Sequence, residues 1–323
     1  MVQKKVLLIP DAPNWALHKN AKDLVKYNKS KLKLDIVLFD DFMKDWKKYY
    51  NEYDLLFPMF KGMFFHMLDK KIPVDKVITG IRSYHAWDKR GTRPPGYNIK
   101  PSRKIVKKMS KAVLVNTHCK KLWYIFSQYF PVVHTKYTCD LEMFYPEKRE
   151  PNKKIVIGWT GSLNNHPGKR GYEEFIKPIT DEIPEYELKV QDGAVNPITD
   201  DNKMREFYNS LDIYIVASRS EGTPRPAIEA AACGVPVIST DVGIIPELIE
   251  DGINGFVVNR TYDEIKNKLQ WIAKNREILP EMGEKIRQKM EKEFNWETLI
   301  YQWTDFLEYA IELTELKKNG FLK

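Results

Sequence analysis

Short apolar runs alternate with amphipathic helical patterns along the chain, and the alternation occurs twice. Runs at 5–9, 34–39, 53–57, 76–81 and 111–116 predict one series of buried strands. A second series follows at 154–160, 186–191, 212–218, 235–240 and 255–258, with helical patterns at about 171–179, 202–210 and 224–233. Strand–helix alternation favours right-handed βαβ units and parallel sheets. The sequence therefore predicts an α/β protein with two doubly wound, Rossmann-like domains.

A polar stretch with two prolines, FYPEKREPNKK (144–154), separates the two series. We predict an N-terminal domain at 1–146 and a second domain at 152–294. The amphipathic helix at 295–323 is expected to pack back toward the N-terminal domain. Ligands of such sheets bind at the carboxyl ends of the strands, so the expected site is a central cleft that both domains face.

The charge is unevenly distributed. Residues 1–150 contain 30 Lys and Arg against 15 Asp and Glu, a net +15, whereas the remainder carries −7. The basic half predicts an anionic partner: a membrane surface, a polyanionic polymer or, less favoured, nucleic acid. A solvated, lysine-rich surface explains the same count equally well.

Three cysteines have neither metal-ligand spacing nor an even count, which indicates reduced thiols and a cytoplasmic protein. The start, MVQKKVLLIP, is typical of a first strand rather than a signal sequence. No run approaches the roughly 20 apolar residues that span a bilayer. We expect a cytoplasmic location, with peripheral attachment at the inner face of the membrane as a variant. The oligomeric state is not indicated.

The stretch RSEGTPRPAIEAAACGVPVIST (219–240) carries Glu229 as the only charged residue of the run PAIEAAACGVPVI. The helix here is expected to have Thr223 as N-cap and to end at Gly234. A buried carboxylate needs hydrogen-bond partners, and the two vicinal hydroxyls of a ribose would supply them. Glu221, in the preceding loop, would accept from another sugar hydroxyl. A solvent-exposed Glu229 on an ordinary helix is an equally good explanation from these residues alone.

The longer stretch SRSEGTPRPAIEAAACGVPVISTDVGIIPELIEDGINGFVV (218–258) resembles the donor-binding signature of the family-four retaining glycosyltransferases. Two glutamates separated by seven residues, a helix of small residues, CGVPVI and DGINGFVV carry the match. Weaker similarity covers SKAVLVNTHCKKLW, IVIGWTGSL and EFYNSLDIYIVAS. The resemblance implies the GT-B fold and donor contacts from Gly222, Thr223 and Glu229.

In IGWTGSLNNHPGKRGYEEFI (157–176) a predicted strand ends at Gly161 and Ser162, and glycine lets a phosphate approach the backbone. Lys169 and Arg170 precede the next helix and would neutralise a leaving diphosphate. In the resembling family this strand end and one such basic residue bind the donor diphosphate. The sequence does not decide between Lys169 and Arg170, and two solvated cations are the alternative.

His85 follows the predicted strand at 76–81. In similar enzymes a histidine in this position lies near the reacting carbon, so the resemblance implies catalytic roles for His85 and Glu221. A lone histidine is otherwise more often a packing or surface residue. In a retaining transfer the leaving diphosphate takes the acceptor's proton, while cations and helix amides stabilise the developing charge. We therefore expect no metal and no cofactor beyond the nucleotide-sugar co-substrate.

The first strand–helix loop, PDAPNWALHKN (10–20), departs from the family pattern because it has no glycine where members often carry a pair. The close backbone approach that glycine allows is therefore in doubt. Pro224 also stands where a glycine is frequent, which removes one amide donor from the signature loop.

The expected function is a retaining hexosyltransferase that uses a nucleotide-diphosphate sugar such as a UDP- or GDP-sugar. Its acceptor is expected to be an anionic, lipid-linked or cell-surface glycan. One alternative is a nucleotide-sugar epimerase or hydrolase, which would form product without an acceptor. Another is a protein that binds or glycosylates nucleic acid, for which steeply salt-dependent DNA binding would be the sign.

Overall fold

The computed structural model describes residues 3–83, 101–163, 170–193, 195 and 198–321. These residues form two compact units. Unit 1 contains the described residues up to Tyr137 together with those from Trp296 onward, and unit 2 contains those of Thr138–Asn295. The division precedes the polar stretch at 144–154, where the sequence suggested it.

The segment directly after the division is bonded to unit 2. Thr138 Oγ1 donates to the carbonyl of Phe294, and the Cys139 thiol donates to the carbonyl of Ile228 at 3.9 Å. The polar stretch therefore lies inside unit 2 rather than between the units.

Unit 1 contains two three-stranded parallel sheets, in the orders β2-β1-β3 and β4-β5-β6. The two sheets are joined by backbone hydrogen bonds, because Leu56 donates to Lys76 and accepts from Ile78. The strands are β1 (Lys5–Ile9), β2 (Lys33–Ile36), β3 (Leu55–Pro58), β4 (Thr79–Ile81), β5 (Val115–Thr117) and β6 (Val132–His134).

Seven described helices belong to unit 1. They are α1 (Ala16–Tyr27), α2 (Phe39–Lys44), α3 (Trp46–Glu52), α4 (Lys61–Asp69), α5 (Arg103–Met109), α6 (Lys120–Ser127) and α13 (Trp296–Lys318). The core combines apolar residues of β1 and β3 with the apolar stripe of α13, including Trp303 and Phe306. The last helix of the chain is thus part of the core of the first unit.

Unit 2 is one five-stranded parallel sheet of order β11-β10-β9-β7-β8. Its strands are β7 (Ile155–Gly161), β8 (Tyr186–Asp192), β9 (Ile213–Val216), β10 (Val237–Thr240) and β11 (Gly255–Val258). The core packs β7 and β9 against the helices that flank the sheet.

The helices of unit 2 follow the strands in turn. A π-helical turn (Tyr172–Ile176) leads into α7 (Lys177–Glu182), followed by α8 (Asp201–Asn209), α9 (Arg225–Ala232), α10 (Ile245–Leu248), α11 (Tyr262–Lys274), a 3₁₀ turn (Arg276–Ile278) and α12 (Leu279–Glu293). Side-chain caps fix two of these starts: Asp200 accepts from the Asn202 amide and Thr261 from the Glu264 amide. Asp200 is therefore a helix cap, as its position in a polar loop suggested.

All ten predicted strands are present, and the α/β fold class is confirmed. The short strand β6 was not predicted, because it is half-buried and has only three residues. Among the described helices, none is both long enough and apolar enough to cross a bilayer.

Candidate functional site

The predicted donor-site residues of unit 2 lie at the carboxyl edge of its sheet. Strand β7 ends at Gly161, β9 at Val216 and β10 at Thr240. Because these strands are parallel neighbours, their ends meet along one edge, where ligands of doubly wound sheets bind. The loops leaving this edge carry the candidate side chains.

Gly161 and Arg170 are brought together at the end of β7. A Cβ atom on Gly161 would lie 2.4 Å from the Trp159 ring and 3.2 Å from Cδ of Arg170. Gly171 has φ +72°, and a Cβ there would lie 2.5 Å from the carbonyl oxygen of Ala217. The two glycines thus let the backbone before the π-helical turn pack tightly against β7 and β9.

Arg170 contributes positive charge to this edge. Burial raises the pKa of the Tyr214 hydroxyl, while its hydrogen bond with Thr160 and the charge of Arg170 oppose that rise. Ser162 follows Gly161 at the same edge. Lys169 lies outside the described residues, so the choice between the two cations stays a prediction.

The loop between β9 and α9 carries Glu221, Gly222 and Thr223. Ser218 Oγ donates to Glu221 Oε1 at 3.0 Å. The amide of Ile244 donates to the carbonyl of Gly222 at 2.9 Å. Gly243 (φ +50°) makes this approach possible, since a Cβ there would lie 1.9 Å from the Gly222 oxygen. The loop is therefore fixed from both sides before any ligand arrives.

Two buried hydroxyls in this loop lack a hydrogen bond within the described part of the chain. Ser220 Oγ and Thr223 Oγ1 are buried and have no hydrogen-bond partner among the described residues. Buried hydroxyls are costly to leave unsatisfied. A ligand with phosphate or hydroxyl oxygens would satisfy both. Ser220 was not among the predicted site residues, because a serine in a loop carries no signal until its burial is known.

Helix α9 begins one residue later than the capping pattern predicts. Its N-cap is Pro224, with ψ +89° and no side-chain cap, so Thr223 as N-cap is wrong. The non-helical ψ of Pro224 moves the helix start to Arg225. The end is as predicted: Gly234 has φ +71°, and the amides of Gly234 and Val235 donate to Ala231 and Ala230, a Schellman end.

Glu229 is buried, with 3% of its surface exposed, but its carboxylate already has partners within unit 2. Arg225 Nε donates to Oε1 at 2.5 Å, and the Tyr208 hydroxyl donates to Oε2 at 2.8 Å. Burial and the adjacent carboxylate raise the pKa of Tyr208, which keeps it protonated as the donor. The alternative of a solvent-exposed Glu229 is therefore wrong, and residues of unit 2 already supply a hydrogen bond to each oxygen of the buried carboxylate.

The candidate site of unit 1 is only partly described, because His85 lies outside the described residues. The glycine-free first loop is described, and Asn14 takes the left-handed conformation there, with φ +61°. Its amide donates to His18 Nδ1 at 2.8 Å. Asparagine tolerates this conformation better than most residues, so the loop achieves without glycine a turn that glycine favours. Among the residues described, no group of three His, Cys, Asp or Glu is placed to bind a metal ion.

Residues 146–289, which include the whole described edge of unit 2, match the family model for glycosyl transferases group 1. The match covers less than half of the 323 residues of the chain. The chain is 26% identical over 155 residues to alpha-galactosylglucosyldiacylglycerol synthase from Streptococcus pneumoniae, covering 48% of this chain and 38% of that protein. The curated relatives are thus matched over well under two thirds of their own length.

Two solved structures show the fold of the chain. Sucrose-phosphate synthase from Thermosynechococcus elongatus superposes with a TM-score of 0.75 at 15% identity, covering 96% of this chain and all of that one. Anabaena Alr3699/HepE, in complex with UDP and glucose, gives 0.68 at 13% identity over 95% of this chain and all of that one. The chain has the GT-B glycosyltransferase fold.

Proposed function

We propose that the protein is a retaining glycosyltransferase that transfers a hexose from a nucleotide-diphosphate sugar to an acceptor without a metal. The observation that carries the proposal is the carboxyl edge of unit 2. There the region that matches the group 1 model, residues 146–289, combines a close backbone approach at Gly161 with a cation at Arg170. It also has two buried hydroxyls, of Ser220 and Thr223, without a hydrogen-bond partner among the described residues. Together they match the oxygen-rich surface of a nucleotide diphosphate.

The leaving diphosphate would lie between Arg170 and the amino end of α9. A helix amino terminus offers free amides and a partial positive charge to an anion. With Arg170, or Lys169, it would stabilise the charge that develops as the glycosidic bond breaks. At the same edge, the Ser162 hydroxyl would contribute a hydrogen bond to the donor. Gly222, which has no side chain, would leave room for it.

Glu221 and Glu229 would bind hydroxyls of the donor. Each carboxylate oxygen accepts about two hydrogen bonds, so the bonds from Arg225 and Tyr208 leave capacity on Glu229 for a ribose. Glu221 would accept from the transferred sugar, oriented by Ser218. In the proposed mechanism His85 donates a hydrogen bond near the reacting carbon, and the diphosphate accepts the acceptor's proton on the same face.

The acceptor is proposed to be an anionic or lipid-linked glycan, handled in the cytoplasm at the inner face of the membrane. The net +15 of residues 1–150 supports an anionic partner. The diacylglycerol in the name of the Streptococcus pneumoniae relative is consistent with a lipid-linked acceptor. The three cysteines are free and buried, which suits a reducing compartment.

Thermal unfolding with UDP-, GDP- and ADP-sugars tests the donor assignment. A sugar nucleotide that binds only the folded state raises the Tm, and we expect a rise with one base, unchanged by EDTA. Arg170→Gln should weaken this binding at least tenfold, since a charge-assisted bond to phosphate is lost. Lys177→Gln is the matched control, because Lys177 is exposed and forms an ion pair with Asp181 in the next turn.

The outcomes separate the alternatives. No Tm rise with any sugar nucleotide would contradict the proposal. Product formed without an added acceptor would indicate a hydrolase or an epimerase. With an acceptor found, NMR of the product should show that the anomeric configuration of the donor is kept, and inversion would refute the retaining mechanism.

A further inference from the structure

Arg82 lies directly after β4, at the carboxyl edge of the unit 1 sheet. Its Nε donates to the carbonyl of Met59 at 2.8 Å, and its Nη2 donates to Asn116 Oδ1 at 2.9 Å. Asn116 is fixed in turn, because its Nδ2 donates to Thr135 Oγ1 at 2.7 Å. The guanidinium lies over Gly80, where a Cβ would come within 2.1 Å of Nη2. The position of this cation is thus determined by three neighbouring strands.

The third nitrogen of the guanidinium has no such bond. Nη1 is buried and has no hydrogen-bond partner among the described residues. Nor does Arg82 pair there with a carboxylate. Burial lowers the pKa of Arg82 to about 9, and the group is still a cation at neutral pH. A desolvated charge without a counter-ion destabilises the folded unit. An anion at this position would remove the cost.

The surroundings of Arg82 are also positive. Lys61, at the start of α4, and Lys121, in α6, are both buried beyond the ends of β3 and β5. Burial lowers the pKa of His118, and the charge of Arg82 lowers it further. Since Ile81 pairs with Thr117 across β4 and β5, Arg82 and His118 leave the sheet side by side. His118 Nε2 is buried and likewise lacks a hydrogen bond among the described residues.

Acidic side chains do not balance this edge in the described part of unit 1. Asp11, after β1, and Asp40 and Asp41, after β2, are exposed. The buried carboxylate of unit 1 that the structure describes is Asp23, within α1. The buried Nη1 of Arg82 therefore has no counter-ion among the described residues of unit 1 and is available to an anionic group.

We propose that the carboxyl edge of the unit 1 sheet binds an anionic oxygen group, a phosphate ester or a carboxylate, with Arg82 Nη1 as its central donor. Its assignment to the acceptor substrate rests on the glycosyltransferase function proposed above. Arg82 as a whole is half-buried, so a small ligand can approach it from solvent. Membrane surfaces and DNA recruit exposed cations, whereas the Nη1 atom of Arg82 is buried, which favours one small oxyanion.

The test is thermal unfolding of the whole chain with inorganic phosphate, sn-glycerol 3-phosphate or glucuronate, at constant ionic strength set with chloride. Wild type should gain Tm with increasing concentration of at least one probe. A Tm rise with phosphate or sn-glycerol 3-phosphate would indicate that the ligand is a phosphate ester. A Tm rise with glucuronate would indicate that it is a carboxylate. In Arg82→Gln the apparent affinity should fall at least tenfold, because a charge-assisted hydrogen bond is lost.

Two control variants isolate the site. Arg103→Gln removes an exposed arginine of α5 and should respond as wild type does. Arg170→Gln removes the cation that is proposed to bind the donor diphosphate in unit 2. This variant should keep the part of the Tm rise with anions that is lost in Arg82→Gln. Arg82→Lys, which keeps the charge without the guanidinium fork, should bind with intermediate affinity. It also serves as the test variant should Arg82→Gln not fold.

Three results would overturn the proposal: no response of wild type to any probe, an undiminished response of Arg82→Gln, or wild-type affinity in Arg82→Lys. The donor is measured in the same assay. Binding of a sugar nucleotide should be unchanged in Arg82→Gln. A missing sugar-nucleotide response beside an intact anion response would remove the proposed function and leave the anion site.

Discussion

Both units bury a charged side chain near the working edge of a parallel sheet, but they treat it in opposite ways. In unit 2 the Glu229 carboxylate accepts from Arg225 and from Tyr208, so its charge is balanced within the unit. In unit 1 the Arg82 guanidinium donates to neutral oxygens of Met59 and Asn116, and its Nη1 has no partner among the described residues. A buried charge that is paired within the protein supports the fold, whereas one without a counter-ion is available to a ligand.

The comparison changes what Glu229 is expected to do. Its burial alone suggested a binding residue, but its partners make it a structural residue as well. In the loop between β9 and α9, the buried side-chain atoms that have no hydrogen-bond partner among the described residues are the hydroxyls of Ser220 and Thr223. This loop of unit 2 thus presents hydrogen-bonding capacity, and Arg82 of unit 1 presents charge.

The largest expected effect comes from breaking the balanced pair. Glu229→Ala should destabilise unit 2 by about 3–5 kcal/mol, because Arg225 and Tyr208 lose their buried carboxylate. Urea unfolding, followed by hydrogen exchange of unit 2 peptides, measures the loss. Glu229→Gln keeps the size and one of the two acceptor oxygens, so a smaller loss is expected. A stability unchanged in Glu229→Ala would mean that the charge is not balanced as described.

A second change tests whether the loop of unit 2 is fixed before ligand binding. Gly243→Ala should destabilise by about 2–4 kcal/mol, since the residue has φ +50° and the new Cβ would strike the Gly222 carbonyl. Donor affinity should fall with it, because the Glu221–Thr223 loop is displaced. Calorimetric Tm and sugar-nucleotide titration measure both. Gly252→Ala is the matched control, also at positive φ but with open space around its Cβ.

The positive edge of unit 1 should make that unit sensitive to acid. Burial lowers the pKa of His134 to about 4 from an ordinary 6.5, and His118 is shifted in the same direction. Below pH 6.5 these two histidines bind protons in the unfolded chain but stay neutral in the folded unit. Stability should therefore decline as the pH falls from 6.5 to 4, by about 2 kcal/mol for His134.

Urea unfolding at a series of pH values measures this slope. His134→Asn should flatten it, and the exposed His66, replaced in the same way, should leave it unchanged. Hydrogen exchange should assign the acid-dependent opening to unit 1. An equal slope in wild type and His134→Asn would show that this ring is not held neutral by burial.

The smallest expected effect concerns one hydrogen bond. Tyr208→Phe removes the donor to Glu229 Oε2 while keeping the ring that packs on Phe144 and Tyr214. The expected loss is about 1–2 kcal/mol, since Arg225 still balances the charge. Equal destabilisation by Tyr208→Phe and Glu229→Ala would mean that the hydroxyl, rather than the ion pair, stabilises the carboxylate.

The fold was accessible from the sequence because apolar periodicity reports burial directly, and every predicted strand formed. Boundaries were less accessible. The strand expected at 34–39 ends at Ile36, and α2 begins at Phe39. Both conformations bury an apolar run of this length, so periodicity cannot separate them.

The candidate site was accessible only in part. The spacing of Arg225 and Glu229, four residues apart on one helix, could have been read as an ion pair. Tyr208 lies 21 residues from Glu229, on another helix, and no local pattern joins them. Arg82 gave no signal either, because its missing partner is a property of packing. Sequence patterns show which polar and charged groups are present. Residues far apart in the chain decide whether those groups find hydrogen-bond or ion-pair partners.

Helix α13 gives unit 1 a dependence on events late in synthesis. Trp296, Trp303 and Phe306 cover the core formed by the first strands, yet they leave the ribosome only after all of unit 2 has been translated. The unit that is translated first therefore completes its folding last, with an apolar face uncovered in the meantime. A nascent chain paused before Trp296 would carry a finished second unit and an unfinished first one, and is the species most in need of a chaperone.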